Sequence, residues 1–280
     1  YQTAWLKANY PSEFMAATLT SEMGNTDKLP VLVAEVQKMG LRILPPDVNE
    51  SGLRFTPVKD GIRYGLAGIK GVGMGAAEAI IREREANGPF KGFVDFCERI
   101  ENSDVNKKTL EALVKCGAFD FTGIMRGSLF DGIEAAMGYA ISMRKDRAAG
   151  QASLFEGLGE EGAAGGHLTD TDLPAGEPGP QRQMLAYEKE LIGFYVSGHP
   201  LLAFSWTLEK YNLTDLAGFA ELPVRTRTRI GGLVATPQKR FTKPENPGGG
   251  PRAVMAFRRG KLGGPTNAGL SNTLTLQTRH

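Results

Sequence analysis

Lys70, Gly71, Val72 and Gly73 are the residues whose types and spacing best fit a chemical task, the holding of a phosphate. They lie inside Leu66–Ile80, LAGIKGVGMGAAEAI, where Leu66, Ile69, Val72, Ala77 and Ile80 are apolar or small anchors. Glycines flank Val72 at the tightest point. A residue without Cβ turns sharply and lets a phosphate approach the backbone. A helix starting just beyond it presents unpaired N–H groups, and its dipole favours negative charge. The pattern reads as a helix, a glycine hairpin and a second helix, a device that holds a nucleic-acid backbone without reading bases. The same letters spell G-x-G-x-x-A, a loose dinucleotide fingerprint. That reading needs a strand before the first glycine and a parallel strand after the helix. The helix expected over Ala76–Glu85 runs instead into Asn87-Gly88-Pro89 with no convincing strand behind it, which favours the hairpin.

A second unit, LEALVKCGAFD, looks like a degenerate copy: Leu110, Leu113 and Val114 pack, and Gly117 turns the chain. Among nearby cations, Lys70, Lys107 and Lys108 suit phosphate contact. Lys115 is a further candidate. Arg82 and Arg84 alternate with Glu83 and Glu85, a pattern that also marks a solvated, salt-bridged helix face. Gln151-Ala152-Ser153-Leu154-Phe155 carries a different chemistry. Leu154 and Phe155 form an apolar anchor for a pocket on a partner, and Gln151 supplies amide hydrogen bonds. The competing reading is a hydrophobic latch onto the preceding helix. His199 precedes Pro200 and reads as a structural hydrogen-bonder; His167 and His280 suggest no chemistry. The sequence shows no nucleophile triad, catalytic carboxylate pair or metal cluster, so no catalytic residue, metal ligand or cofactor is expected within this chain.

The elements that must position these residues are mostly helical. A length of 280 residues suits about two domains. The net charge of +2, from 33 Lys and Arg against 31 Asp and Glu, leaves nucleic-acid contact to local patches and backbone amides. Cys97 and Cys116 sit in apolar helical patterns and read as buried thiols of a reducing, cytoplasmic setting. No apolar run reaches membrane-spanning length and no signal peptide is visible, so no membrane partner is expected. Tyr1–Gly40 is helical, with Trp5, Leu6, Phe14, Met15, Leu19, Leu32 and Val36 at spacings of three and four. Arg42–Asp47 is a short extended run. Phe55–Gly65 is a hairpin turning at Lys59-Asp60-Gly61. Arg126–Arg147 is a long helix with Leu129, Ile133, Met137 and Ile141 on one stripe. Gly157–Gln181 has linker composition. Gln183–Phe194 returns to helix, Leu201–Leu216 is helical, and strand begins near Thr226. The tail after about Asn246 loses periodicity and is expected to pack poorly.

In this order the segments resemble the alpha subunit family of the bacterial replicative DNA polymerase III, from Tyr1 to about Phe241. The resemblance is carried by YQTAWLKANYPSEFMAA, GLRILPPDVNES, IRYGLAGIKGVG, GPFKGFVDFCERI, LEALVKCGAFD, YEKELIGFYVSGHPL and RIGGLV. It implies a mainly α fold with a small β-hairpin: a tandem helix–hairpin–helix region, then a linker and a partial OB-type β-barrel. The expected division is the end of a fingers-like region at 1–56, hairpin motifs at 57–150, and a clamp-binding motif with flexible linker at 151–182. A helical connector follows at 183–225, then the barrel at 226–280. The implied partners are double-stranded DNA, a sliding clamp gripped by Gln151, Leu154 and Phe155, and other replicase subunits. In the family, catalytic carboxylates holding two Mg2+ ions belong to a palm domain that would precede Tyr1, so this chain is expected to be inactive alone. The run from Arg258 departs from the family barrel and resembles a wrong reading frame. The alternative is a non-catalytic helix–hairpin–helix adaptor or repair accessory protein.

Overall fold

In the computed structural model, the described residues are 1–25, 28–101, 103–148, 168–176, 181–198, 200–211, 237–241, 253–257 and 274–276. The chain divides into two compact units, Tyr1–His199 and Pro200–His280.

The first unit opens with three helices: α1 (Gln2–Asn9), α2 (Pro11–Ser21) and α3 (Leu29–Lys38). Pro11 and Pro30 fall in the first turns of α2 and α3, where a missing N–H costs nothing. Met15, Leu19 and Val36 are buried as their spacing requires, whereas Trp5 and Leu6 stay about half exposed on α1, which buries no residue. A small sheet follows, from β1 (Arg42–Leu44), β2 (Thr56–Val58) and β3 (Gly61–Arg63). β2 and β3 form the expected hairpin, with Val58 opposite Gly61. β1 adds to β3 in parallel, a pairing the sequence does not announce. Gly61 has φ +148, and a Cβ there would overlap the Arg42 backbone.

Helices α4 (Met74–Asn87), α5 (Phe93–Arg99), α6 (Lys107–Lys115) and α7 (Arg126–Ala148) build the centre. Aromatic rings fill it: Phe119 meets Phe93 at 5.1 Å and Phe96 at 5.0 Å, both edge-on. On α7, Leu129 and Ile133 are buried as expected, but the stripe continues through Ala136 and Ala140. Ile141 is 41% exposed. Small residues let α7 lie close to α5. Arg144 then reaches the end of α5 and donates to the Cys97 carbonyl at 2.7 Å.

Part of the stretch with linker composition is seated on this body. Asp170 accepts from the Phe93 and Val94 amides at 2.9 and 2.8 Å, capping α5 from 77 and 76 residues away. Leu173 lies over Gly132, and the Gly176 amide donates to Ser128 Oγ at 2.8 Å. A few well-placed contacts hold what apolar content alone does not. Helix α8 (Gln181–Leu191) closes the unit.

In the second unit, a 3₁₀ turn at Pro200–Phe204 leads into α9 (Ser205–Lys210). Strands β4 (Pro237–Phe241), β5 (Ala253–Phe257) and β6 (Leu274–Leu276) form an antiparallel sheet in the order β4-β5-β6. The described strands do not close a barrel. β6 lies inside the run expected to lack structure, where Thr273-Leu274-Thr275-Leu276 alternates with strand period. The RIGGLV stretch lies outside the described residues.

Candidate nucleic-acid interface

The first hairpin is built from Leu66 to Ala77. A 3₁₀ turn at Leu66–Gly68 stands where a full helix was expected. The Val72 amide donates to the Ile69 carbonyl at 3.0 Å, closing a tight turn over Lys70 and Gly71. Gly71 has φ +93, which the third position of such a turn demands and which L side chains resist. Val72 is 6% exposed and pins the turn to the core. The Ala77 amide donates to the Gly73 carbonyl at 3.0 Å, and α4 begins. No side chain caps this helix. Lys70, Gly71, Gly73, Met74 and Gly75 are all exposed, and a Cβ on Gly73 would meet nothing within 4 Å. The result is an open helix start with its first-turn amides uncapped. The requirements of a dinucleotide loop are not met, because α4 is followed by α5 and not by a parallel strand.

Two supports hold this turn from beneath. The Thr109 hydroxyl on α6 donates to the Gly71 carbonyl at 3.2 Å. The Lys70 amide donates to the Leu191 carbonyl, at the end of α8, at 2.9 Å. The first support brings the start of α6 beside the hairpin. Asn106 caps α6 by accepting from the Thr109 amide at 3.0 Å, so Lys107 and Lys108 stand exposed on the same first turn. Lys107 is already engaged: its Nζ donates to Glu134 of α7. That hydrogen bond raises the ammonium pKa and lowers the carboxyl pKa.

Gly117 does turn the chain, with φ +84. It does so as the stop of α6: the Gly117 amide donates to Val114 and the Ala118 amide to Leu113, at 3.1 and 3.0 Å. It is buried, and a Cβ there would overlap the Arg126 guanidinium. The backbone echo of the first hairpin comes six residues later. Gly123 has φ +73, is exposed and faces open space. Ile124 packs against the core as Val72 does. The Leu129 amide donates to Met125 at 3.1 Å, as Ala77 donates to Gly73. Both helices start three residues after their glycine. The sequence carries this signal as glycine, aliphatic, two residues and glycine, at both 71–75 and 123–127.

Other expected cations are committed elsewhere. Arg84 donates to the Val48 carbonyl at 2.8 Å, and burial lowers its pKa. Lys115 lies over the Phe130 and Tyr187 rings at 4.7 and 5.3 Å. Arg82 is exposed. Arg126 binds Asp120 through Nε at 2.8 Å and Glu188 through Nη1 at 3.3 Å. Burial alone would lower the Arg126 pKa; Asp120 and then Glu188 more than offset this. Cys97 and Cys116 are buried, and burial pushes both thiols up to about 12. Gln151, Leu154 and Phe155 lie outside the described residues. Among the described residues no group of three or more His, Cys, Asp or Glu is placed to hold a metal. No helix among them is long and apolar enough to cross a membrane.

This geometry defines a helix–hairpin–helix module, and residues 40–129 match a family model described as a helix-hairpin-helix motif. The longer chain is similar to the alpha subunit of bacterial DNA polymerase III, the family the sequence motifs resemble. It is 39% identical to that subunit from Saccharopolyspora erythraea over 254 residues, which cover 88% of this chain. The subunits of Treponema pallidum and Escherichia coli are 44% and 41% identical, over 84% and 88% of the chain. The chain spans about a fifth of the length of these relatives, 20% to 21% in each.

Proposed function

We propose that this chain grips duplex DNA and tethers a sliding clamp, as one segment of a replicative DNA polymerase. The carrying observation is the uncapped start of α4 behind the open Gly71–Gly73 turn, with Lys70 beside it and Lys107 and Lys108 on the adjoining helix start. One phosphate sits against the amides after Gly73. The turn at Gly123 takes a second, and Gly117 serves beneath it as the stop of α6. Backbone amides and few cations give grip without base readout. Anisotropy titration of a labelled duplex tests this. Weak, sequence-independent binding with a modest salt slope is expected. A strong preference for one sequence overturns it.

The tether is the Gln151, Leu154 and Phe155 motif. Ordering it on a clamp costs free energy, so a micromolar to sub-micromolar affinity is expected, on the order of −8 to −9 kcal/mol. Calorimetry of the wild type and the Leu154→Ala/Phe155→Ala double variant against a clamp decides: equal affinities place the tether elsewhere. Template-directed nucleotidyl transfer with Mg2+ belongs, in this reading, to the full-length polymerase in the cytoplasm with its other replicase subunits. The strands of the second unit belong to its OB-type barrel. Primer extension by this chain alone is expected to yield no product.

A further inference from the structure

We propose that Glu188 is the positioning residue that locks the two glycine turns into one DNA-gripping unit; this rests on the DNA reading above. Glu188 is a carboxylate on α8 with only 1% of its surface exposed. A buried charge persists only where it is paired and hydrogen-bonded. Its partners face two ways. Oε1 accepts from Arg126 Nη1 at 3.3 Å. Arg126 is the first residue of the helix behind the Gly123 turn, and it also donates to the Lys115 carbonyl at 3.3 Å and to Asp120. Oε2 accepts from the Val196 and Ser197 amides at 2.9 and 3.0 Å. Those two bonds fold the chain after α8 back on itself.

That fold-back presents the end of α8 to the first turn. The Leu191 carbonyl receives the Lys70 amide, and Tyr64 places its hydroxyl against the Ile192 carbonyl at 3.2 Å. Ile192 and Phe194 are buried beneath. One carboxylate therefore fixes the base of the second turn by charge and the strap under the first by amide hydrogen bonds. Without it, Arg126 keeps Asp120 but loses its inner partner, and the strap loses two anchors. The consequence is lost alignment of two phosphate sites, with the sites themselves intact.

The test compares wild type, Glu188→Ala, Glu188→Gln and Lys70→Ala in the whole chain. It combines duplex titration, thermal melting and hydrogen exchange at the Lys70 amide. Glu188→Ala should weaken duplex binding by about fivefold to tenfold and speed Lys70 exchange by tenfold or more. Glu188→Gln keeps an oxygen for the Val196 and Ser197 amides but loses the charge facing Arg126. It should restore most of the Lys70 protection, yet bind duplex two- to threefold more weakly than wild type. A merely structural role lowers the melting temperature and leaves the affinity of the folded protein unchanged; that result in Glu188→Gln overturns the proposal even if Glu188→Ala fails to fold. An unchanged affinity in Lys70→Ala overturns the DNA reading instead, and is recognised separately because the exchange readout needs no DNA.

Discussion

The two glycine turns share a positive-φ glycine and a helix start three residues on, and differ in equipment. At the first, Gly71 is followed by buried Val72 and then by Gly73, where an added Cβ would meet nothing within 4 Å and no side chain caps α4. At the second, Gly123 is followed by Ile124 and by Met125, a residue with a side chain at the place Gly73 takes in the first. The first has Lys70 within the turn. The second has none, and its nearest cation, Arg126, is held by Asp120 and Glu188. The glycine signal thus repeats, and the side chains around it differ. On the DNA reading proposed above, the first turn is the grip and the second is the guide.

Gly117→Ala should unfold or severely destabilise the chain. A left-handed residue with a Cβ costs about 1–2 kcal/mol, and displacing a buried, ion-paired Arg126 adds more, for about 3 kcal/mol or above. Gly73→Ala should cost less than about 1 kcal/mol, since its backbone is extended and its Cβ points to open space. Chemical denaturation of the two variants measures the contrast. Equal losses would erase the distinction between a buried stop glycine and an open hairpin glycine.

Alkali should separate the turns next. Cys116 lies buried at the stop of α6, ahead of the second turn, and Tyr64 lies buried behind the first, its hydroxyl raised well above the ordinary tyrosine value by burial. In the unfolded chain a thiol ionises near 8.5 and a phenol near 10. Between those values and the raised native ones, the unfolded state binds fewer protons than the native state. Stability is therefore whole below about pH 8.5 and falls as pH rises. Cys97 acts in the same window as Cys116. The sum is on the order of 4 kcal/mol by pH 10. Denaturation midpoints against pH should fall from about pH 9. Cys116→Ala should soften the early part and Tyr64→Phe the part above about pH 10. A flat profile to pH 11 would show that these groups ionise without unfolding.

What was legible in the sequence follows the range of the interactions. The Gly71 turn and the β2–β3 hairpin are local devices written in consecutive residues. Gly117 was legible as a turn, and it turns the chain as a helix stop; the open turn at Gly123, six residues on, was not read. A helix stop and a hairpin both need positive φ, and only the packing at Gly117 and the open space at Gly123 tell them apart. Asp170 on α5 and Glu188 on Arg126 join residues 77 and 62 apart, so no periodicity announces them. Composition marked 168–176 as linker because it counts apolar area and is blind to one aspartate placed on two amides.

A smaller effect tests the grip and the guide directly. Gly73→Val covers the amides of α4 without straining an extended backbone, and should weaken duplex binding about tenfold, a change of about 1.4 kcal/mol. Gly123→Val should weaken it less for the folded protein, because Met125 already puts a side chain where the first turn has Gly73. Duplex titration of both variants, each corrected for folded fraction, decides the order. Equal effects would make the turns equivalent sites.

The smallest effect runs in the opposite direction. Glu134 on α7 holds Lys107, whose ammonium stands on the helix start beside the first turn. Both side chains are largely exposed, so solvent screens the pair and it contributes little to stability. Its consequence for DNA is larger than for folding. A phosphate must displace the carboxylate to claim Lys107, and the carboxylate remains nearby as a like charge. Glu134→Gln should therefore tighten duplex binding by about twofold to threefold at low salt and steepen the salt slope by a fraction of one ion. The gain should shrink as salt rises, since the Debye length falls from about 10 Å at 0.1 M to about 3 Å at 1 M. Lys107→Ala should lose affinity and make the Glu134 change nearly silent, because a freed lysine is what the phosphate gains. A tightening that persists in the double variant would mean that Glu134 acts through the general field of the face, and Lys107 would leave the grip to Lys70 and Lys108.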